Sequence, residues 1–479
     1  MNWSTYQQAL FAATEQHVVV EAVAGSGKTT TIVQMAKQRS GSLFLAFNKS
    51  IATELASRGV NASTMHALGL DMCRSEYGKV KVEPGKKFEI FEDMGINEHP
   101  MRFRIANLVS LARCWCIGPD TKRLQDLADA YDIELPDKVW DLGLVETFHR
   151  MATKVRRTPK GAVMVDFDDM VSLPVEQKFK GVATVKSLFV DEAQDLNKQR
   201  LELVDMLIGP DTKTVFVGDP HQAIYGFCGA LSDSMTQVTM KYNAATYPLS
   251  VSYRCARSVI EVAQRDCPSI LPSETAPEGI VTRVEDRDCK PAVGDVVLSR
   301  VTAPLVKLCY QLVKKGIRAA VKGKEIGEDI VRLIDDLSKK DGGLNIEDFL
   351  VRLNQHVVDT SLVPKVSPTK LAALEDKAEA LNALAEGCGT VGGLKSVVQS
   401  LFNDDARPED VVTLSTIHKA KGLEWHKVWL LMYKLPHPKA SSVEARKQES
   451  NLRYVGVTRA KYELVLVGQD SEGDSDDDC

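Results

Sequence analysis

A chain of 479 residues, 44% hydrophobic and 26% charged, is too long for one core and predicts roughly two to four globular domains. No apolar run approaches the eighteen or so residues of a membrane-spanning helix. The net charge of −5 hides an asymmetry: six acids (Asp470, Glu472, Asp474, Asp476, Asp477, Asp478) sit in the last ten residues, and without them the remainder carries +1.

Near-neutral charge with basic stretches such as Lys154-Val155-Arg156-Arg157-Thr158-Pro159-Lys160 and Lys314-Lys315 is compatible with a nucleic-acid partner. Ten cysteines are scattered. The one close pair, Cys114 and Cys116, lacks zinc-site spacing, which predicts reduced thiols in an intracellular protein. Met1-Asn2-Trp3-Ser4 has no basic region followed by an apolar stretch, so a cytoplasmic location is expected.

In chain order, Val18-Val19-Val20-Glu21-Ala22 predicts a buried strand feeding a helix over Thr29 to Gln38. Leu43-Phe44-Leu45-Ala46-Phe47 predicts a second strand, followed by a helix over Ser50 to Ser57. That β-loop-α-β order indicates a parallel sheet with crossover helices. From about Leu68 to Lys160 the pattern turns mixed and charge-rich, as in a mainly helical insertion. Strands resume at Ser187-Val190 and Thr214-Val217, completing the first sheet.

A second α/β set begins near Tyr247, with strands at Asp295-Ser299 and Ala319-Val321 and a helix over Ala303-Lys314. Helical spacing fills about Lys324 to Ala406, punctuated by Gly342-Gly343, Gly387-Gly389 and Gly392-Gly393. Strands return at Val411-Leu414, Lys427-Met432 and Glu463-Val467. The expected boundaries are 1–67 with 161–246 for a first α/β domain and 68–160 for its insertion. They are 247–323 with 407–469 for a second domain, 324–406 for a short insertion, and 470–479 for an acidic tail.

Ala22-Val23-Ala24-Gly25-Ser26-Gly27-Lys28-Thr29 has the strand-loop-helix setting of a phosphate loop. Its glycines let backbone N–H groups face phosphates, and the helix N-terminus adds a favourable field. Lys28 is expected on the β- and γ-phosphates and Thr29 on magnesium, with Ala24, Gly25, Ser26, Gly27 and Thr30 lining the nucleotide. Asp191-Glu192-Ala193-Gln194-Asp195 follows the apolar strand Ser187-Val190. A solvated acidic turn is one reading. Beside a phosphate loop the other is stronger, with Asp191 holding the metal and Glu192 acting as general base toward water. Gln194 and Asp195 are placed to sense the γ-phosphate or relay its presence. Gln7 fits either an exposed helix residue or an amide pairing with the adenine edge.

Four further segments occur in order: Gly218-Asp219-Pro220-His221-Gln222-Ala223-Ile224-Tyr225-Gly226-Phe227, Ser252-Tyr253-Arg254, Thr416-Ile417-His418-Lys419-Ala420-Lys421-Gly422-Leu423-Glu424-Trp425 and Tyr454-Val455-Gly456-Val457-Thr458-Arg459-Ala460. With Gln7, the phosphate loop and the acidic pentapeptide, they resemble the motifs of the superfamily 1A DNA helicases, the UvrD/Rep-like family. Gly218–Gln222 and Ala46–Lys49 are closest in wording to the F-box-helicase branch, without an F-box. The resemblance runs from Gln7 to Arg459.

The resemblance implies an α/β fold of two RecA-like P-loop motor domains, each with a mainly helical insertion, and ATP and magnesium as cofactors. It implies that Tyr253 stacks on adenine, that Arg254 and Arg459 reach the γ-phosphate, that Glu424 touches the ribose side, and that Gln222 joins the catalytic set. It assigns DNA contact to Phe47, Thr64, His66, Tyr225, Phe227, His418 and Trp425. Core packing is the competing reading for Phe47, Phe227 and Trp425. Cys228, Ser252 and Gln448 depart from the family pattern, and none removes a group needed for hydrolysis.

The implied activity is an ATP-dependent helicase translocating 3′→5′ on single-stranded DNA, acting on single-stranded and tailed duplex substrates. Two alternatives stand beside it: a translocase that strips bound proteins with little unwinding, and a nucleotide-switched DNA-binding subunit of a larger complex. The acidic tail fits a solvated end, a DNA-mimicking brake, or a docking peptide for a basic protein partner.

Overall fold

The computed structural model describes residues 3–131, 133–224, 233–338, 345–362, 368–438, 440 and 442–468. Tyr225, Phe227, Cys228 and the acidic tail lie outside them. The chain forms two units, Met1–Ser250 and Val251–Cys479. No helix among the described residues is long and apolar enough to cross a membrane.

In the first unit the strands are β1 (His17–Ala22), β2 (Ser42–Ala46), β3 (Ala62–Thr64), β4 (Val80–Val82), β5 (Arg156–Arg157), β6 (Val163–Val165), β7 (Ser187–Val190), β8 (Lys213–Gly218) and β9 (Ala245–Leu249). The main sheet has the order β3-β2-β7-β8-β1-β9. Every pair in it is parallel. Alternation along each strand splits the core into two layers. Val18, Val20, Phe44, Phe189, Val215 and Val217 pack with Ile32, Met35 and Leu55 on one face. Val19, Leu43, Leu45, Leu188, Val190 and Phe216 pack with Met72, Leu201 and Val238 on the other.

The expected boundary after residue 246 shifts to Ser250, because β9 pairs with β1 from Val18–Ala245 to Ala22–Leu249. Within β9, Pro248 lacks the N–H of a ladder donor. As the outermost strand of its sheet, β9 tolerates the missing N–H.

The insertion is mainly helical, with its own core of Ile90, Phe91, Ile105, Leu108, Leu124 and Phe148. It also holds β4 and β5, which join β6 in a small sheet that sequence reasoning did not foresee. Between this core and the motor sheet lies a layer of buried charge. Lys86 Nζ donates to Asp169 Oδ2 (2.7 Å) and to the Ala152 carbonyl (2.8 Å). Arg113 reaches Asp169 Oδ1 (3.0 Å) and grips Glu176 through Nε (2.9 Å) and a terminal nitrogen (3.0 Å). At its edge Lys87 and Ser110 both bond Asp168 Oδ2 (2.7 and 2.6 Å). Asp168, Asp169 and Glu176 all belong to the helix Phe167–Glu176, which links insertion to motor.

The second unit holds β10 (Val251–Ser252) paired with β11 (Leu271–Pro272), and a sheet of β12 (Ile280–Val284), β13 (Val296–Ser299), β14 (Ala319–Val321), β15 (Val412–Thr416), β16 (Trp425–Leu431) and β17 (Ala460–Val467). Its order is β12-β17-β16-β13-β15-β14, again all parallel. Two six-stranded parallel sheets, each interrupted by helices, are the two RecA-like motor domains.

The 324–406 segment is helical, as expected, but it is not separately cored. Ile330, Ile334, Phe349, Leu353, Leu381, Leu394 and Val398 from its helices pack in one cluster with Val297, Leu305, Leu312, Val412 and Trp429 of the motor. Asp376 of the helix Pro368–Ala385 also accepts from Thr302 N and Ala303 N (2.9 Å each), capping the motor helix Ala303–Lys314. These helices form a layer of the second motor.

Removing one member of a buried ion pair leaves an uncompensated charge, at a cost of about 3–5 kcal/mol. Lys86→Met is expected to destabilise the first unit on that scale, read as a lowered urea midpoint. Lys81→Met, at an exposed lysine paired with Glu83, should leave that midpoint nearly unchanged.

Candidate nucleotide site and strand-binding residues

Because all strands of the first sheet run parallel, their C-terminal ends share one edge, where ligands bind in open α/β sheets. Across it, Thr64 ends β3 and His66 follows it, Phe47 follows β2, Asp191 and Glu192 follow β7, Asp219 and Gln222 follow β8, and the loop to Lys28 follows β1. The expected nucleotide residues therefore share three adjacent strands. Of the expected strand-binding residues, Phe47, Thr64 and His66 belong to the two strands on the far side of β7.

The loop after β1 turns on Gly25 (φ 73°) and Gly27 (φ 74°), left-handed conformations that side chains disfavour. Ser26 Oγ is buried with no hydrogen-bond partner. A buried hydroxyl without a partner in a loop of this geometry fits an oxygen-rich ligand such as a phosphate. Lys28, Thr29 and Thr30 form the first turn of the helix Lys28–Gln38.

The Lys28 ammonium is ion-paired with Glu192 Oε1 and lies 4.0 Å from Asp191 Oδ1. Burial alone would lower its pKa, but the two carboxylates outweigh it and the net shift is upward. Burial, opposed by Lys28 and reinforced by Glu192, pushes the Asp191 carboxyl up to about 6. Glu192 itself adopts a left-handed backbone (φ 51°, ψ 42°), a strained conformation of the kind found at functional sites.

Gln7 sits in a local network of hydrogen bonds. Its Oε1 accepts from Ser4 N (3.0 Å) while its own N–H bonds Ser4 Oγ (3.3 Å), a capping box for the first helix, Thr5–Phe11. Its Nε2 donates to Thr31 Oγ1 (2.8 Å). The amide is engaged in building the helix entry, and the Ser-x-x-Gln spacing was the signal for it. Thr64 likewise caps its helix by accepting from Ala67 N (3.2 Å). Phe47 is 42% exposed. His66 is half-buried, its pKa lowered by burial and by Arg200 against an opposing pull from Asp168. Sequence reasoning passed over Phe167, an aromatic 58% exposed in the first turn of the helix that carries Asp168.

In the second unit the expected residues separate to opposite ends of the strands. Arg254 pairs with Glu424 Oε2 at 2.5 Å, and Lys461 reaches the other oxygen at 2.7 Å. Glu424 and Arg459 immediately precede β16 and β17, whose first residues Trp425 and Ala460 pair. Tyr253, beside them, is 50% exposed.

Arg459 is 1% exposed. It donates from Nε to Val455 O (2.9 Å) and from Nη1 to Leu423 O (2.9 Å), while its own carbonyl accepts from Trp425 N (2.9 Å). In this structure Arg459 clamps the Leu423–Trp425 turn. At the other end, after β15, His418 is largely buried near Arg300, which grips Glu449 through Nε at 2.9 and 3.1 Å. The Arg300–Glu449 pair had no sequence signal beyond opposite charge. Trp425 is half-buried at the start of β16.

The domain family described as the UvrD/REP helicase N-terminal domain matches residues 3–243, and the UvrD-like helicase C-terminal domain family matches residues 328–470. The chain belongs to the UvrD/Rep-like helicases. Membership of this superfamily 1A family makes it an ATP-driven DNA helicase by class. Among its relatives, ATP-dependent DNA helicase UvrD2 of Mycobacterium tuberculosis is 24% identical over 550 positions, covering 94% of this chain and 76% of that protein. ATP-dependent DNA helicase Rep of Escherichia coli is 27% identical over 223 positions, covering 43% of this chain and 32% of Rep. F-box DNA helicase 1 of Gallus gallus is 23% identical over 502 positions, covering 94% of this chain and 47% of that protein.

One residue of this UvrD/Rep-like chain has a pH signature. Burial, with help from the Arg300 and Lys421 cations, pushes the His418 imidazole down to about 4. Its folded pKa lies below the ordinary value of 6.5, so its contribution to stability is present above pH 6.5 and lost as pH falls toward 4. Between pH 7.5 and pH 5 the loss amounts to about 2 kcal/mol. His418→Asn is expected to lose less stability than the wild type over that interval, measured as the difference in urea midpoints at the two pH values.

Proposed function

We propose that the chain hydrolyses ATP at the site built around Lys28 and Glu192 and uses the cycle to translocate 3′→5′ along single-stranded DNA, unwinding tailed duplexes. The observation that carries this reading is the convergence of Lys28, Asp191 and Glu192 beside a glycine loop whose Ser26 hydroxyl is buried and unpaired. Lys28 holds the β- and γ-phosphates, with Ala24, Gly25, Ser26, Gly27 and Thr30 around them. Glu192 accepts the proton of the attacking water once Lys28 has moved onto phosphate. The departing lysine thereby links base activation to nucleotide occupancy.

Among the described residues no group of three or more His, Cys, Asp or Glu side chains is arranged to hold a metal. A magnesium ion would take the Thr29 hydroxyl and the Asp191 carboxylate, hard oxygen donors suited to it, and complete its shell from phosphates and water. When bound, it supplies charge that stabilises the phosphoryl oxygens. Gln222 belongs beside the γ-phosphate, and membership of the family implies nucleotide contacts for Arg254 and for the exposed Tyr253 ring as well. Glu424, by its grip on Arg254, and Arg459, by its clamp on the Glu424 turn, support that arginine.

For DNA, Phe47, Thr64, His66 and the exposed Phe167 in the first unit and His418 and Trp425 in the second are the proposed contacts, together with Tyr225 and Phe227 outside the described residues. Aromatic stacking is worth about 1–3 kcal/mol per base and does not depend on sequence.

A second reading is favoured by the shared core of the 324–406 helices. With no separate core among the described residues of that segment, a translocase that clears bound proteins and unwinds weakly fits as well.

Single-stranded DNA is expected to stimulate ATPase activity. Lys28→Ala should abolish it, and Glu192→Gln should lower kcat about 10²–10⁴-fold while keeping nucleotide affinity. ATPase indifferent to DNA would defeat the motor reading and leave the nucleotide-switched subunit. In strand displacement, a 3′-tailed duplex should open and a 5′-tailed one should not. Displacement of a bound protein without either would select the clearing translocase.

A further inference from the structure

We propose that Gln194 is a positioning residue that fixes the Glu192 carboxylate to the Gly218–Gln222 strand end, making hydrolysis respond to where that strand end sits. The proposal rests on the reading of Glu192 as the base. Gln194 is 1% exposed. Its Nε2 donates to Glu192 Oε2, and its Oε1 accepts from Asp219 N at 3.0 Å. One amide therefore joins the acidic turn after β7 to the segment after β8. A primary amide suits this place because it donates toward a carboxylate and accepts from a backbone N–H at the same time.

The contact is close-packed. A Cβ placed on Gly218 would lie 2.4 Å from Gln194 Oε1 and 2.9 Å from Gln194 N, so the strand end closes directly on the amide. Beyond it, Asp219 Oδ2 accepts from Gln222 Nε2 at 2.7 Å and Oδ1 from His221 N at 3.0 Å, tying the proposed phosphate-side glutamine into the same chain of bonds. From another side, Ser234 Oγ bonds the Ala193 carbonyl. The turn holding Glu192 is thus attached to both β8 and the helix Ser234–Tyr242.

The division of labour at Glu192 follows from its two oxygens. Lys28 is paired with Oε1 and Gln194 with Oε2. When Lys28 transfers to phosphate, Oε1 becomes available to water while Gln194 still holds Oε2 and sets the plane of the carboxylate. A displacement of the Gly218–Gln222 segment moves the Asp219 N–H, and with it the amide and the base. This is a physical route by which an event at that strand end, such as strand binding, reaches hydrolysis.

The test uses the full chain and compares Gln194→Met, which loses both bonds, with Gln194→Glu, which keeps an acceptor for Asp219 N but cannot donate to Glu192. The ratio of ATPase kcat with a saturating oligodeoxythymidine to kcat without it is expected to fall at least tenfold in both. KM for ATP and the oligonucleotide Kd should stay within about threefold. If Gln194→Met does not fold, Gln194→Glu alone decides. An unchanged ratio, or a loss of kcat with a parallel rise in KM, overturns the proposal. Glu192→Gln serves as the control. Full activity in that variant would overturn the base assignment itself, a result distinct from an unchanged ratio in the Gln194 variants.

Discussion

The arrangement depends most on the parallel direction of the strands. In the first sheet it brings the ends of β7, β8 and β1 side by side, although they lie almost 200 residues apart in the chain. Only that alignment lets a lysine at the start of a helix meet two carboxylates at the end of a distant strand. The Lys28–Glu192 pair is the immediate consequence. It neutralises groups that would otherwise repel or remain desolvated, and it holds each near the position where a nucleotide would call on it.

The two helical insertions relate to their motors by different physics. Residues 68–160 keep a private apolar core and meet the first motor across Lys86, Arg113, Asp169 and Glu176, a layer whose geometry is set by directional bonds. The described residues of 324–406 join the second sheet chiefly by merging apolar side chains with it, with Asp376 capping the helix Ala303–Lys314 as the buried polar contact named above. An ionic seam specifies orientation strongly and contributes little net stability, whereas a shared apolar core contributes stability and resists separation. The first insertion is therefore a positioned arm, and the second a covering layer.

How much of this could be read in the chain varies with burial. Strands buried on both faces, such as β2, β7 and β13, were legible because their residues form nearly continuous apolar runs, as does Val18–Val20 of β1. The edge strands β9 and β12 were not, since their side chains are largely exposed and one carries Pro248. Motif wording located Lys28, Asp191 and Glu192. It did not reveal that Arg459 clamps a turn, because that outcome depends on neighbours that the motif does not contain, whereas the Gln7 capping box was signalled by its Ser-x-x-Gln spacing.

The sequence by itself determined the family, the two parallel sheets and the identity of the groups able to meet a nucleotide. Those follow from residue type and spacing, which survive any rearrangement of the chain around them. Tertiary structure alone decided which oxygen of Glu192 faces Lys28 and which faces Gln194, and that Arg254 is held by Glu424. It alone placed His418 and Arg459 at opposite ends of their strands. Hydrogen bonds are short-range and directional, so they are settled only when distant segments come within about 3 Å of one another.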